Sequence, residues 1–214
     1  MSTNGKFKWG PTHTNNNVIC AIDIRVGGER PQNSDVLEVA FLPLNHSFKL
    51  SPEMKMFQVK IRPSWKVDSK VAGLNAVTIK DYTSSPFDGI SSFALFERWV
   101  ETTLELKPGK KIMPLVWDWA RLKPYLQNWM GDETFDHYIH ESVRDGMTVL
   151  NFLNDRWDVW GESPEFKQPT FSQFCTRSGV ELIEKSSMSA NAMALIEVYR
   201  QQLGKYIPGY KAAV

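Results

Sequence analysis

Asp23 and Arg25 stand two residues apart in the run VICAIDIRV, Val18 to Val26. Residues two apart on a strand share a face. A carboxylate and a permanent cation are therefore set side by side. Such a guanidinium can neutralise the carboxylate or hold a phosphate through charge-assisted hydrogen bonds. A second group is Trp65 with Arg62, Lys66 and Lys70. Aromatic rings among basic side chains can stack on unpaired bases. Trp117, followed by Asp118, Arg121 and Lys123, forms a third. A groove bearing Lys60, Arg62, Lys66, Arg121 and Lys123 would favour nucleic acid. His137 and His140 are three apart, a spacing that suits a metal, but no neighbouring set completes a tetrahedral zinc site. They read as surface or packing residues. Cys20 lies mid-strand, which excludes a thiol nucleophile. No glycine-rich phosphate loop is present, and Gly27-Gly28 reads as a turn. Most of the eight tryptophans are expected in the core.

The elements that must carry these residues follow from periodicity. The run 18–26 is β-branched and almost wholly apolar, as in a strand buried on both faces. Strands are also expected at 36–44, 54–61 and 112–117. The first three, joined by short polar turns, suggest an antiparallel meander with the first strand central. Helices are expected at 89–106, 119–130, 147–160, 171–178 and 188–203. The first of these places Phe93, Phe96, Trp99, Val100 and Leu104 at helical spacing. The result is an α/β chain, a mixed sheet with helices on its faces.

The 214 residues and formal charge of +1 fit one domain and exclude a uniformly polyanion-binding surface, though not a local basic groove. The expected division is a flexible arm at 1–16, one domain at 17–204 and a tail at 205–214. Cys20 and Cys175 read as buried free thiols in a reducing compartment. No apolar run approaches bilayer length, and the polar N-terminus lacks the apolar stretch of a secretory signal. The chain is expected in the cytoplasm.

Four ordered segments carry a more specific resemblance. They are AIDIRVGG, PLVWDWARLKPYL, ESVRDGMTVLNFLNDR and SSMSANAMALIEVYRQQL. In this order the chain resembles the DEDD superfamily of 3′–5′ exonucleases, the RNase T and polymerase-proofreading types with a ribonuclease H-like fold. The resemblance covers roughly residues 17 to 203. The segment from Phe57 to Thr78 adds to it, resembling the strand and loop that line the family's substrate groove. It implies a three-strand antiparallel meander extended by parallel strands. It also implies a site where two Mg²⁺ or Mn²⁺ ions, held by four carboxylates, clamp the scissile phosphate. A histidine acts there as general base.

On that alignment Asp23 is the one carboxylate kept. Arg25, Leu122 and Asn191 stand at the other three positions, and Ser186 stands at the base. Leu122 offers no ligand, and Arg25 sets a positive charge beside the site. The resemblance therefore implies a nuclease scaffold that has lost hydrolysis and needs no cofactor. Its nucleic-acid-binding residues are expected to be Arg25, Arg62, Trp65, Lys66, Trp117, Arg121 and Lys123. A chain of this kind would suit a phage or other mobile element. Two readings stay open beside it. One is a protein-interaction platform on a dead nuclease fold. The other is a divergent, active Mg²⁺- or Mn²⁺-dependent exonuclease, its site rebuilt from Asp118, Asp145, Glu29 or Asp35.

Overall fold

The computed structural model describes residues 16–45, 47–159, 161, 170–182 and 187–206. Most of the expected arm, Ser186 and most of the expected tail lie outside them.

Five strands form one mixed sheet in the order β3-β2-β1-β4-β5. β1 (Val18–Val26) pairs antiparallel with β2 (Val36–Pro43), which pairs antiparallel with β3 (Phe57–Lys60). On its other side β1 pairs parallel with β4 (Ile112–Val116), and β4 with the short β5 (Arg144–Asp145). The meander with β1 in the middle is as the sequence implied. β5 was not foreseen, because two residues carry no periodicity.

Because β1 is central, both of its faces are covered. Cys20 and Ile22 face a core shared with Phe41, Phe57, Phe96, Trp99, Leu122 and Leu126. Ile19 and Ala21 face the opposite layer with Met188, Ala192, Leu195 and Ile196. Those four belong to α8 (Met188–Tyr206). Asp23 and Arg25 continue this second row, so both belong to the α8 side of the sheet. A register shift between Arg25 and Val26 ends the regular pairing with β2.

α1 (Ser69–Ala72) and α2 (Ala76–Thr83) precede α3 (Gly89–Trp99), which starts on a reciprocal cap between Asp88 and Ser91. The helix expected at 89–106 is interrupted. Its last part is one wide π turn, Val100–Leu104. α3 brings Phe96 to Phe41, with ring centroids 4.9 Å apart, and Trp99 Nε1 donates to the Lys55 carbonyl at 2.7 Å. Trp99 is thus a core residue with its one polar atom satisfied. α4 (Trp119–Met130) buries Leu122, Tyr125, Leu126 and Met130, a stripe one turn apart. α5 (Asp132–Tyr138) follows at once. It escaped the sequence reading because its one buried residue is Phe135. α6 (Gly146–Val159) and α7 (Phe171–Arg177) complete the α8 side. Both cysteines are buried free thiols. Burial raises the Cys20 thiol beyond any working range and pushes Cys175 up to about 11. Among the described residues no helix is long and apolar enough to cross a membrane.

Candidate functional site

Asp23 sits near the C-terminal end of β1, where the sheet opens between α4 and α8. It lines a small cavity of about 120 Å³ with Trp117, Asp118, Arg121, Leu122 and Tyr125. The cavity's position has a local cause. β1 and β4 run parallel, so the end of β4 delivers Trp117 and the start of α4 beside Asp23. Asp118 accepts from the Arg121 backbone N–H at 3.2 Å and caps α4.

The first turns of α8 bring in Asn191. Burial pushes the Asp23 carboxyl up to about 6. Hydrogen bonds donated by the Asn191 side chain and by the Ile24 N–H oppose the rise, as does the charge of Arg25. Asp23 and Leu122 therefore share one cavity, and Asn191 hydrogen-bonds Asp23; these are three of the positions that the resemblance singles out.

Arg25 lies elsewhere. Its Nη1 donates to the Ala72 carbonyl at 2.9 Å, and its Nε lies 3.8 Å from Glu38 Oε2. Glu38 is Arg25's register partner on β2. Glu38 accepts from the Tyr82 hydroxyl at 2.7 Å and from the Gln58 amide at 2.6 Å. The side chains of Arg25 and Glu38 are only 12% and 2% exposed. The guanidinium is thus built into a polar network joining β1, β2, β3 and α2, rather than presented in an open groove. The sequence reading missed Glu38. Its one signal was a lone acid in the apolar run VLEVAFLPL.

The other expected residues fall into three places. Trp117 is half-buried, its ring 5.3 Å from Phe171 and 5.5 Å from Phe174. Gly146 makes room for it, because a Cβ there would come within 2.9 Å of the indole. Arg62, Trp65 and Lys66 are exposed on the loop after β3. Lys123 is two residues beyond Arg121 and so on another face of α4. It lies over the Phe135 ring and lines a separate cavity of about 580 Å³ with Lys110, Lys111 and His140. Asp136 and Glu141 also line that cavity and offset its positive charge. Lys123 is therefore not part of the Asp23 cavity. Ser186 lies outside the described residues.

A two-ion site asks for a cage of oxygen donors, mostly carboxylates. At the Asp23 cavity the carboxylates are Asp23 and Asp118, and Leu122 fills a third corner with methyl groups. Asp145 is held by the Met147 N–H and the Thr148 hydroxyl. Burial raises its carboxyl, as does the nearby charge of Asp118. Among the described residues no group of three or more His, Cys, Asp or Glu is arranged to hold a metal ion. The donors among the described residues do not fit a two-metal cage.

The raised carboxyl of Asp23 makes a prediction with a definite sign. Between about pH 4 and pH 6 the folded protein keeps a proton that the unfolded chain has released. This group's contribution to stability therefore declines as pH rises through that window. Asp23→Asn removes the ionisation and keeps an acceptor for Asn191. Urea unfolding should find the variant favoured over wild type by about 1–3 kcal/mol more at pH 7.5 than at pH 4. An equal difference at the two pH values would contradict the burial of an ionised carboxylate.

No protein-family model matches the sequence, and no curated protein matches it. Solved structures do. Cell-death related nuclease 4 aligns with a TM-score of 0.65 at 11% identity, over 89% of this chain and 64% of its own. E. coli exonuclease I, in a zinc-bound complex with single-stranded DNA, aligns with a TM-score of 0.67 at 12% identity, over 89% and 41%. The nuclease domain of 3′hExo, a DEDDh family member bound to rAMP, aligns with a TM-score of 0.55 at 16% identity, over 88% and 93%. The chain spans less than two thirds of the length of the first two. It has the α/β, ribonuclease H-like fold of these DEDDh exonucleases, and at such identities the likeness is one of fold.

Proposed function

We propose that this chain is a pseudo-exonuclease that binds single-stranded nucleic acid without cutting it. One observation carries the reading. At three positions where the resemblance expects carboxylates, β1 brings one acid, Asp23, α4 brings Leu122, which lines the same cavity, and α8 brings Asn191, which already hydrogen-bonds the acid. Hydrolysis on this fold requires ions that such a set is poor at holding. Binding asks for less. Arg121 at the cavity, and Arg62, Lys66 and the exposed ring of Trp65 on the loop after β3, supply cations and a stacking surface. Arg25 serves this surface from behind, by tying Ala72 to the sheet. That exonuclease I has been captured with single-stranded DNA supports the choice of ligand.

The test is a titration of 5′-labelled single- and double-stranded DNA and RNA in EDTA, Mg²⁺ and Mn²⁺. It is read for both gel shift and shortening, with Asp23→Ala as control. A shift of single strands in EDTA, with no shortening under any condition, is the expected result. Metal-dependent shortening that Asp23→Ala abolishes would overturn the reading in favour of an active enzyme. Asp118, which shares the cavity, would then be the first residue to examine. Neither shift nor shortening would leave a protein-interaction platform.

A further inference from the structure

Trp65 is 55% exposed, and by itself a single exposed apolar side chain is ordinary. An exposed ring on a floppy loop would need no explanation, but this loop is held at every turn. The Ile61 N–H donates to the Leu37 carbonyl at 2.7 Å and the Arg62 N–H to the Phe87 carbonyl at 2.6 Å. Pro63 fixes the next φ. The N–H groups of Ser64 and Trp65 both donate to one oxygen of Asp35, Oδ2, at 2.6 and 2.7 Å. The Asp68 N–H then returns to the Gly27 carbonyl at 2.7 Å. Asp35 itself is fixed, because its carbonyl accepts from the Gly27 N–H at 2.8 Å. Two consecutive amides on one carboxylate oxygen are charge-assisted bonds, stronger than neutral ones. They are spent on the segment whose main product is a solvent-facing indole.

We infer that residues 62–66 form a preorganised stacking platform for an unpaired base, and that Asp35 is the residue that positions it. The inference rests on the nucleic-acid reading above and narrows its ligand. Along a duplex only the two end pairs expose a face to a lone indole, whereas every base of a single strand can offer one, so single strands are taken in preference to blunt duplex. Arg62 and Lys66 flank the ring. The ion pair of Arg62 with Asp88, at 3.6 Å and about half exposed, is of the kind that contributes little. The other tie of Arg62, from Nη1 to the Ser85 carbonyl, is long at 3.3 Å, so the guanidinium is able to turn to a phosphate. Holding the ring still in advance removes the ordering cost at the moment of binding.

The experiment is fluorescence anisotropy in EDTA, with fluorescein-labelled oligothymidylate and a labelled blunt duplex as probes. Wild type, Trp65→Ala, Asp35→Ala, Asp35→Asn and the double alanine variant are compared. Trp65→Ala should weaken oligothymidylate binding roughly tenfold. Asp35→Ala should reproduce most of that loss and add nothing in the Trp65→Ala background. Asp35→Asn, whose amide oxygen can still accept both N–H groups, should restore most of it. Hydrogen exchange of the wild-type Ser64 and Trp65 amides should be slow, a readout that does not depend on any variant folding. Oligothymidylate binding that Trp65→Ala leaves intact would overturn the platform and leave the nucleic-acid reading standing. Losses at Asp35 and Trp65 that multiply, or fast exchange at both amides, would overturn the role of Asp35. Wild type that binds neither probe would overturn the nucleic-acid reading and the platform with it.

Discussion

Replacing Glu38 with alanine should destabilise the protein by about 3–5 kcal/mol. Glu38 is 1% exposed and its carboxylate is shared three ways. Oε2 lies 3.8 Å from the Arg25 Nε and accepts from Tyr82, and Oε1 accepts from Gln58. Removing it takes the carboxylate away from a guanidinium that is nearly closed to water. It also leaves a buried hydroxyl without its acceptor. Breaking one half of a buried ion pair costs far more than the pair contributes to stability, because the other charge stays desolvated. Glu38→Gln keeps an acceptor for Tyr82 or Gln58 while losing the charge, so its penalty should be the smaller. Urea unfolding followed by far-ultraviolet circular dichroism measures both. A loss below about 1 kcal/mol for the alanine variant would mean that solvent reaches Arg25 and that the network is not the lock described.

The same network shows how much of the site was legible in the sequence. The β1 run announced a central strand because VICAI is apolar without a polar break, its flanks are turn residues and β-branched residues recur along it. Its end was then the natural place for Asp23. The helix expected at 119–130 is α4, and its buried stripe explains why a leucine is welcome at position 122. Position 122 continues an apolar row into the core. What the sequence hid was lateral. The pairing of Arg25 with Glu38 depends on strand register, and register depends on turns that leave no mark at either residue. Asp35 was hidden for the same reason, since its partners are backbone amides of Ser64 and Trp65, about thirty residues away. Lys123 shows the opposite error. It counts as basic in any sequence tally, yet a two-residue step along a helix carries it away from Arg121 and onto Phe135. Charge counts do not know which face a residue is on.

Register also makes a carboxylate hard to install at position 25. Arg25→Glu would restore the acid that the resemblance expects two residues after Asp23. It would also put a second carboxylate opposite Glu38, its register partner, and delete the bond to the Ala72 carbonyl. Like charges directly opposite on paired strands are destabilising. At this burial the cost should reach several kcal/mol, on the order of removing one partner of a buried ion pair. Adding Glu38→Gln should recover a large part of it, because a neutral amide can face the new carboxylate and still serve Tyr82. Unfolding of the single and double variants forms a double-mutant cycle, with a coupling expected at about 1–3 kcal/mol. In the Glu38→Gln background, Arg25→Glu with Leu122→Asp and Asn191→Asp would put acids at all four of the positions that the resemblance singles out. Mn²⁺ should then raise the melting temperature of that protein and leave wild type nearly unmoved. Additive losses at 25 and 38 would show that the two side chains do not depend on each other. An equal response of wild type to Mn²⁺ would mean that ions already find enough oxygen at Asp23 and Asp118, and the pseudo-exonuclease reading would fall. The order of substitution thus matters. While Glu38 stays buried opposite position 25, a glutamate there is a fault in the fold before it can be a metal ligand.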